Sequence, residues 1–315
     1  MKNFEYVLPK SVDEASKAAA EKGARLKAAG VDLLDEMKSY VAQPDKVVNL
    51  LSVKGMRDIA SQKDGTHIGA LVTLAQVAAA TDLPHALVEA ADEAATPQVR
   101  NVATVGGNLA QRPRCWYWRS EAFTCLRKGG DACPAIDGEN RYHAIFHTGP
   151  CPIVHPSNLA PALMALGATV VTNKRSIEIE KFFVLPKDKI DRENVLEDGE
   201  IITEVIVPPG GWKSAYKEGR EKESFDWALV SAAVALLMDG GTVKDARVVL
   251  GAVAPVPMRS KEAEAALVGK KPLDAAKDAA EAAFKEAKPL SGNGYKVPLG
   301  KAILRRAIAA AAEGK

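Results

Sequence analysis

All four cysteines of the chain lie within one segment of 37 residues, although the sequence is 315 residues long. They are Cys115, Cys125, Cys133 and Cys151, separated by nine, seven and seventeen residues. Cysteines that served only packing would be scattered through the core, whereas a shared ligand draws thiols together. A metal or iron-sulfur centre is therefore the first hypothesis for this segment.

The spacing alone leaves three interpretations of the cysteines open. Disulfide pairs suit small secreted scaffolds better than a chain of this size. Structural zinc usually uses CxxC pairs, and this segment has none. The wide and uneven spacing fits a [4Fe-4S] cluster somewhat better, although it is not a ferredoxin pattern. Half of the four tryptophans lie beside Cys115, where they would shield a cluster from water.

Two short turns contain the glycines that a phosphate-binding backbone needs. Ala29-Gly30 separates a predicted strand, Arg25 to Ala28, from a helical pattern, and the second turn is Thr104-Val105-Gly106-Gly107-Asn108. Glycine permits positive φ and lets a ligand approach backbone amides closely. Neither turn contains GxGxxG or GxxxxGK, so each one alone is more typical of an ordinary connection.

Strands and helices in mixed order must position these segments. Beyond the Pro208-Pro209-Gly210-Gly211 linker, two predicted buried strands at 229–238 and 246–253 are followed by Ala-rich helices. We therefore expect two domains, residues 1–208 and 212–315, with the cysteine segment as an insert at 111–152. Strands before the linker are predicted near residues 4–7, 25–28, 47–50, 66–71, 168–172, 176–180 and 201–207.

Composition and charge exclude several classes of function. The hydrophobic fraction of 47% and the charged fraction of 26% are typical of a soluble globular protein. A net charge of +2 gives no electrostatic case for binding nucleic acid or an anionic membrane. No apolar run reaches the roughly 20 residues of a bilayer span, and we expect no signal peptide. The five histidines form no HExxH or comparable pattern, so no residue is predicted to be catalytic.

Several motifs together resemble one family over nearly the full length of the chain. The chain resembles the FAD-binding (medium) subunit of the xanthine dehydrogenase family of molybdenum hydroxylases. The order and spacing of the motifs make the combined signal specific. They are Lys27-Ala28-Ala29-Gly30-Val31-Asp32-Leu33-Leu34, Ile68-Gly69-Ala70, Gln98 to Leu109, His155 to Ala160, Phe225 to Ser231 and Tyr295-Lys296-Val297.

The cysteine segment narrows this resemblance further. It is similar to the insert in FAD subunits of periplasmic-type aldehyde oxidoreductases, in which four cysteines hold a [4Fe-4S] cluster near the flavin. The resemblance thus implies that Cys115, Cys125, Cys133 and Cys151 are cluster ligands.

The resemblance also implies a fold and an FAD site. The fold is α+β, with a vanillyl-alcohol-oxidase-type (PCMH) FAD-binding domain of two subdomains and a C-terminal α/β domain of the CO dehydrogenase flavoprotein type. The family's first turn usually reads Ala-Gly-Gly-Thr-Asp-Leu, so Ala29 and Val31 are departures that remove a glycine and a hydroxyl. The implied FAD-binding residues are Lys27, Ala28, Ala29, Gly30, Val31, Asp32, Leu33, Thr104, Gly106, Gly107, Asn108, Asn158 and Lys217.

The function implied by the resemblance is electron transfer within a heterotrimer. A molybdopterin-binding large subunit would oxidise the substrate, a [2Fe-2S] small subunit would relay electrons, and FAD on this chain would pass them to an external acceptor. Two other interpretations remain, a stand-alone flavin oxidase and a non-catalytic scaffold with structural zinc. The expected location is the cytoplasm, or the periplasm by co-export with a partner that carries the signal.

Overall fold

The computed structural model describes residues 1–147, 149–223 and 225–314, which form three β-sheets with flanking helices. The first elements are β1 (Glu5–Val7), α1 (Val12–Ala19), β2 (Ala24–Lys27), α2 (Leu33–Lys38) and β3 (Lys46–Asn49). The three strands form a parallel sheet in the order β1-β3-β2. The side chain of Ser11 accepts a hydrogen bond from the Glu14 amide and so caps α1.

The second sheet is antiparallel, with five strands and a cover of helices. Its elements are β4 (Ile59–Gln62), β5 (Gly65–Gly69), α3 (Leu74–Ala78), α4 (His85–Asp92), α5 (Pro97–Arg100), α6 (Val105–Leu109), α7 (Leu159–Ala165), β6 (Thr169–Thr172), β7 (Ser176–Glu178) and β8 (Ile202–Val207). The strand order is β4-β5-β8-β6-β7. Leu87, Leu109 and Leu163 from the helices share one buried core with Val170 and Val205 from the sheet.

The third sheet follows the predicted linker and is covered on both faces. It comprises β9 (Lys213–Gly219), β10 (Val230–Asp239), β11 (Thr242–Gly251) and β12 (Met258–Arg259), in the order β12-β11-β10-β9. Ala233 and Ala235 join the core of the second sheet, whereas Val234 and Leu236 belong to a separate core. This alternation explains why β10 reads as a continuous apolar run. Helices α8 (Lys261–Leu267), α9 (Pro272–Phe284) and α10 (Lys296–Glu313) pack against the sheet in that second core.

Within the part of the chain that the structure describes, three sheets and ten α-helices confirm the predicted mixed α+β class. Most predicted strands lie within a residue or two of their expected positions, but β4, β9 and the two-residue β12 are not among the predicted strands. All four residues of β4 are exposed, and β9 contains Lys, Glu and Gly, so neither has a strand-like apolar pattern. Pairing with neighbouring strands makes them extended. Across the described ranges, no helix has both the length and the apolar character of a membrane span.

The cysteine segment is mostly irregular in structure. Between α6 and α7, the described residues contain no strand and only one helical turn, the 3-10 turn Leu126–Lys128. The segment contacts all three layers of the structure. It bonds to the loop after β2 through Asp32, to the loop before β8 through Glu193, and to the loop after β11 through the Ile145 amide, 2.9 Å from the Val253 carbonyl oxygen.

Two glycine motifs pack directly against each other beside the first and second sheets. A Cβ added to Gly69 would lie 2.4 Å from the carbonyl oxygen of Met56, a backbone atom held in place by the Leu71 amide. The Gly106 amide donates to the carbonyl oxygen of Ala70 at 2.9 Å. Gly69 is therefore required because two backbone segments meet there without space for a side chain.

We expect Gly69→Ala to lower the free energy of unfolding by about 1–3 kcal/mol, because the methyl group overpacks a backbone contact. Urea denaturation would measure the change. Gly211→Ala is the matched control, since no described atom lies within 4 Å of the Cβ it would add. Equal stability of the two variants would contradict this account of the motif.

Candidate functional site

A cleft of about 610 Å³ opens beside the two glycine turns, a size within the range of roughly 300–1,000 Å³ that is typical of cofactor sites. Its walls come from both turns, from the loop before β8 and from residues 225–227 before β10. Eleven of the thirteen residues predicted to bind FAD line it. They are Lys27, Ala28, Ala29, Gly30, Val31, Asp32, Leu33, Thr104, Gly107, Asn108 and Asn158.

The first turn presents unpaired backbone amides to this cleft. Gly30 has a φ of +86°, and a Cβ added there would lie 2.9 Å from Cγ of Leu34. Within the described residues, the amides from Ala29 to Asp32 donate to no other backbone group. Amides without internal partners beside a cleft are suited to an anionic ligand such as a phosphate.

The second turn is organised differently. The Gly107 amide donates to the Thr104 hydroxyl at 3.2 Å, and the Asn108 amide donates to the Thr104 carbonyl oxygen at 2.8 Å. The side-chain oxygen of Asn108 accepts from the Ser157 hydroxyl at 2.5 Å. Because these amides already have partners, the second turn offers a ligand its glycine surface and side chains instead of free amides.

Three arginines of the cysteine segment converge on Asp32 in the first turn. One carboxylate oxygen accepts from the Arg112 backbone amide at 2.6 Å. The other lies 2.8 Å from Nη1 of Arg114 and 2.6 Å from Nη2 of Arg119. Asp32 therefore fixes the cysteine segment to the cleft, and its carboxylate is engaged by the protein itself.

Asn158 stands at the inner end of the cleft, held by a buried polar group. Its Nδ2 donates to Oε2 of Glu218 at 2.7 Å and to the hydroxyl of Tyr216 at 3.2 Å. The Tyr216 hydroxyl also donates to Oε2 of Glu218 at 2.7 Å. Burial raises the pKa of Glu218 to about 7, and it raises the pKa of Tyr216 well above its usual value. These bonds fix the orientation of the Asn158 amide.

A second cavity of about 250 Å³ adjoins the cleft, with which it shares Arg114, Asn158, Asp226 and Trp227. The guanidinium of Arg114 lies 4.4 Å from the ring centre of Trp227. The cavity wall also includes two aromatic residues, two buried histidines and one cysteine. These are Trp116, Tyr142, His143, His155 and Cys115.

The structure brings the four cysteines into one neighbourhood as free thiols. Cys115 interacts electrostatically with Cys125 and Cys133, and the thiols of Cys133 and Cys151 interact with each other. Burial raises the pKa of Cys115 to about 11. The hydrogen-bonding interaction between these two free thiols lowers the pKa of Cys133 and raises the pKa of Cys151.

The arrangement of the thiols does not match a site for one metal ion. Among the described residues, no three His, Cys, Asp or Glu side chains converge closely enough to hold a single ion. A tetrahedral zinc site needs sulfur atoms about 3.8 Å apart, from a Zn–S length of about 2.3 Å. An iron-sulfur cluster is larger than one ion and separates its thiolate ligands more widely.

A buried arginine lies beside two of the cysteines. The side chain of Arg127 is 1% exposed, interacts electrostatically with Cys125 and Cys151, and pairs with the carboxylate of Glu193. Its Nε and Nη1 atoms are buried without an oxygen or nitrogen partner among the described residues. Burial lowers the pKa of Arg127. A cation with spare donors favours an anionic group at the cysteines, as thiolate-bound clusters are.

Two predicted FAD-binding residues do not line the cleft. Gly106 packs against Ala70, where its added Cβ would lie 3.0 Å from the alanine Cβ. Lys217 lies on β9, and its ammonium pairs with the carboxylate of Glu89 on α4. The resemblance predicted Lys217 near the flavin from its position in the sequence. The direction of its side chain, however, is set by Glu89 on the neighbouring helix α4.

Some residues of the site carry no recognisable signal in the sequence. Glu193 lies in a charged loop that reads as solvated surface, yet its side chain is 4% exposed and contacts two arginines. Trp227 and Arg114 belong to separate segments that only the fold brings together. Buried charges are paired in folded proteins, but the sequence does not specify which partners meet.

Comparison with known proteins decides the family. Residues 2–210 match the FAD binding domain in molybdopterin dehydrogenase, and residues 214–311 match the CO dehydrogenase flavoprotein C-terminal domain. The chain belongs to the FAD-binding medium subunits of the xanthine dehydrogenase family. It is therefore the FAD-binding subunit of an oxidoreductase of the molybdenum hydroxylase family, as the resemblance implied.

Two relatives of this medium subunit match over nearly their whole length. The chain is 33% identical over 323 residues to the aldehyde oxidoreductase FAD-binding subunit PaoB of Escherichia coli, covering 99% of both chains. It is 30% identical over 328 residues to the carbon monoxide dehydrogenase medium chain of Hydrogenophaga pseudoflava, covering 98% of this chain and 96% of that one.

Solved structures support the same fold for the medium subunit. Carbon monoxide dehydrogenase from Hydrogenophaga pseudoflava aligns with a TM-score of 0.76 at 27% identity, over 99% of this chain and 98% of that chain. Quinoline 2-oxidoreductase from Pseudomonas putida 86 aligns with a TM-score of 0.77 at 26% identity, over 100% and 99%.

We expect Glu218→Gln to change how stability depends on pH. Because burial raises the pKa of Glu218 from 4.5 to about 7, the folded chain holds a proton there that the unfolded chain has released. Unfolding free energy therefore falls as pH rises from about 4.5 through about 7, and this contribution stays lost above that range. Glu218→Gln should be more stable than the wild type at pH 8 and nearly equal to it at pH 5.

Chemical denaturation at both pH values measures this difference. Glu93→Gln is the control, because Glu93 pairs with Arg220 near the same group but is 42% exposed. A stability difference between Glu218→Gln and wild type that is the same at pH 5 and pH 8 would contradict the buried-carboxylate explanation.

Proposed function

We propose that this chain is the electron-transfer subunit of a heterotrimeric molybdenum hydroxylase and that it carries both FAD and a [4Fe-4S] cluster. The observation that carries the proposal is that the cleft with unpaired amides adjoins the cavity lined by Cys115. A redox-active flavin bound in the cleft would then lie next to the cavity that Cys115 lines. Electrons would enter from a [2Fe-2S] subunit and leave to an external acceptor.

The described residues suit FAD in three respects. The amides from Ala29 to Asp32 would hold the pyrophosphate, with Gly30 allowing close approach. The fixed amide of Asn158 would present its side-chain oxygen to hydroxyl or N–H donors of the cofactor. The aromatic lining of the second cavity, which includes Trp227, suits a flat ring system. Bound FAD would supply the exchange of electrons, while the protein sets its position and surroundings.

The cysteine segment suits an anionic cluster better than a zinc ion. The four thiols share one neighbourhood without the close convergence that a single ion requires. The buried guanidinium of Arg127 would offset the negative charge of four thiolates. Trp116 lies on the same cavity wall as Cys115 and would limit the access of water.

The partners of the proposed complex are inferred from the family. The relatives are named as subunits or medium chains of aldehyde oxidoreductase, carbon monoxide dehydrogenase and nicotinate dehydrogenase, which indicates that they act within larger enzymes. By analogy, this chain would assemble with a molybdopterin-binding large subunit and a [2Fe-2S] small subunit. Substrate oxidation would occur in the large subunit. This division of labour argues against a stand-alone flavin oxidase.

We expect Gly30→Ala to weaken FAD binding at least tenfold, because the methyl group strains a backbone at positive φ and contacts Leu34. Fluorescence titration of the apoprotein with FAD measures the dissociation constant. Gly55→Ala is the matched control, since Gly55 has a φ of +84° but does not line the cleft. If both variants bind FAD like the wild type, the first turn does not hold the cofactor.

Anaerobically purified protein should contain about four irons and about four acid-labile sulfides per chain, as expected for a [4Fe-4S] cluster. Its absorption spectrum should show flavin bands above a broad iron-sulfur shoulder. Cys125→Ser should lose iron, whereas Ser120→Ala in the same segment should retain it. Zinc without sulfide would support the structural-zinc alternative and contradict the cluster.

A further inference from the structure

One histidine is held directly against a cysteine of the proposed cluster. Nε2 of His143 lies 3.3 Å from Sγ of Cys115. The residue is only 4% exposed, and its Nδ1 atom has no hydrogen-bond partner among the described residues. Among the described residues, the imidazole ring of His143 therefore makes its hydrogen-bonding contact with the sulfur of Cys115.

The position of His143 is fixed from several sides. Its amide donates to the carbonyl oxygen of Asn140 at 2.9 Å, and its own carbonyl oxygen accepts from Nδ2 of Asn293 at 3.0 Å. Its ring meets Trp116 edge to face, with ring centres 5.7 Å apart. The imidazole is thus pre-set against the sulfur of Cys115 and needs no rearrangement to bond to it.

The direction of this hydrogen bond depends on whether the cysteine binds iron. A free thiol and a neutral imidazole can bond in either direction, since each has a donor and an acceptor. A cysteine that binds iron is a thiolate without a proton, so it can only accept. Nε2 of His143 must then donate, whatever the protonation state of the ring.

We propose that His143 is a positioning residue that donates a hydrogen bond from Nε2 to the sulfur of Cys115 and thereby raises the reduction potential of the cluster. Hydrogen bonds to cluster sulfur atoms stabilise the reduced state, in which the sulfurs carry more negative charge. The inference rests on the proposed function, because it requires the cluster to be present.

The affected ligand is the one beside the proposed flavin position. Of the four cysteines, Cys115 alone is among the described residues that line the second cavity, and His143 lines it too. A hydrogen bond at this sulfur acts on the side of the cluster that faces the flavin. His143 would therefore adjust the driving force for electron exchange between the two centres.

The test compares two substitutions of the same residue in the holoprotein. His143→Phe keeps a flat ring but removes the donor, whereas His143→Gln places a side-chain N–H near the original Nε2 position. We expect the midpoint potential of the cluster, measured by EPR-monitored redox titration, to become more negative in His143→Phe. His143→Gln should recover most of that shift.

His155→Gln is the matched control. His155 is equally buried and lines the same cavity, but its Nδ1 accepts from the Ser157 amide and its ring packs on Phe183. We expect its cluster potential to remain that of the wild type. Equal shifts in His155→Gln and His143→Phe, or unchanged potentials in variants with full iron content, would overturn the inference.

A measurement on the wild type covers the case in which His143→Phe assembles no cluster. Pulsed EPR of protein labelled with ¹⁵N-histidine should detect a weakly coupled nitrogen at the reduced cluster, and this signal should change in His143→Gln. Its absence in wild type that contains the cluster would overturn the inference alone. Wild type without iron and sulfide would overturn the cluster proposal as well.

Discussion

The site depends on the convergence of three arginines on one carboxylate, that of Asp32. Asp32 belongs to the first glycine turn, whereas Arg112, Arg114 and Arg119 belong to the cysteine segment about 80 residues later. Arg112 bonds through its backbone amide, whereas the guanidinium groups of Arg114 and Arg119 pair with the carboxylate. These paired charges are largely withdrawn from water, and a buried ion is tolerated only when its partners are in place. The loop that would hold the cofactor phosphates and the segment that carries the cysteines therefore form together.

The bonds to Asp32 help to hold the cysteine segment in one conformation, although the segment has little regular secondary structure. The segment has few backbone hydrogen bonds of regular secondary structure. Side chains from other elements therefore pair with its arginines and its carbonyl oxygens. Glu193 pairs with Arg112 and Arg127, and Asn293 binds two of its carbonyl oxygens. Lys296 is fully buried and donates to the Tyr142 carbonyl oxygen at 3.0 Å. The three sheets thus act as a frame for an irregular loop.

Consecutive residues connect the two candidate cofactor sites. Arg114 bonds to Asp32 at the cleft and stacks on Trp227, while Cys115 faces the second cavity and contacts His143. A displacement of one residue is therefore transmitted to the other through a single peptide unit. In the proposed function, this adjacency would bring a flavin and a cluster to neighbouring residues of one segment.

The sequence by itself determined the fold class and most strands and helices, and its motifs predicted thirteen FAD-binding residues, of which eleven line the cleft. These features follow from local periodicity, from glycines that must adopt positive φ, and from motif order. Tertiary structure alone decided which charges meet: it turned Lys217 toward Glu89, buried Glu193 and paired His143 with Cys115. Such contacts join residues far apart in the chain, and their geometry depends on packing between sheets, which no local pattern records.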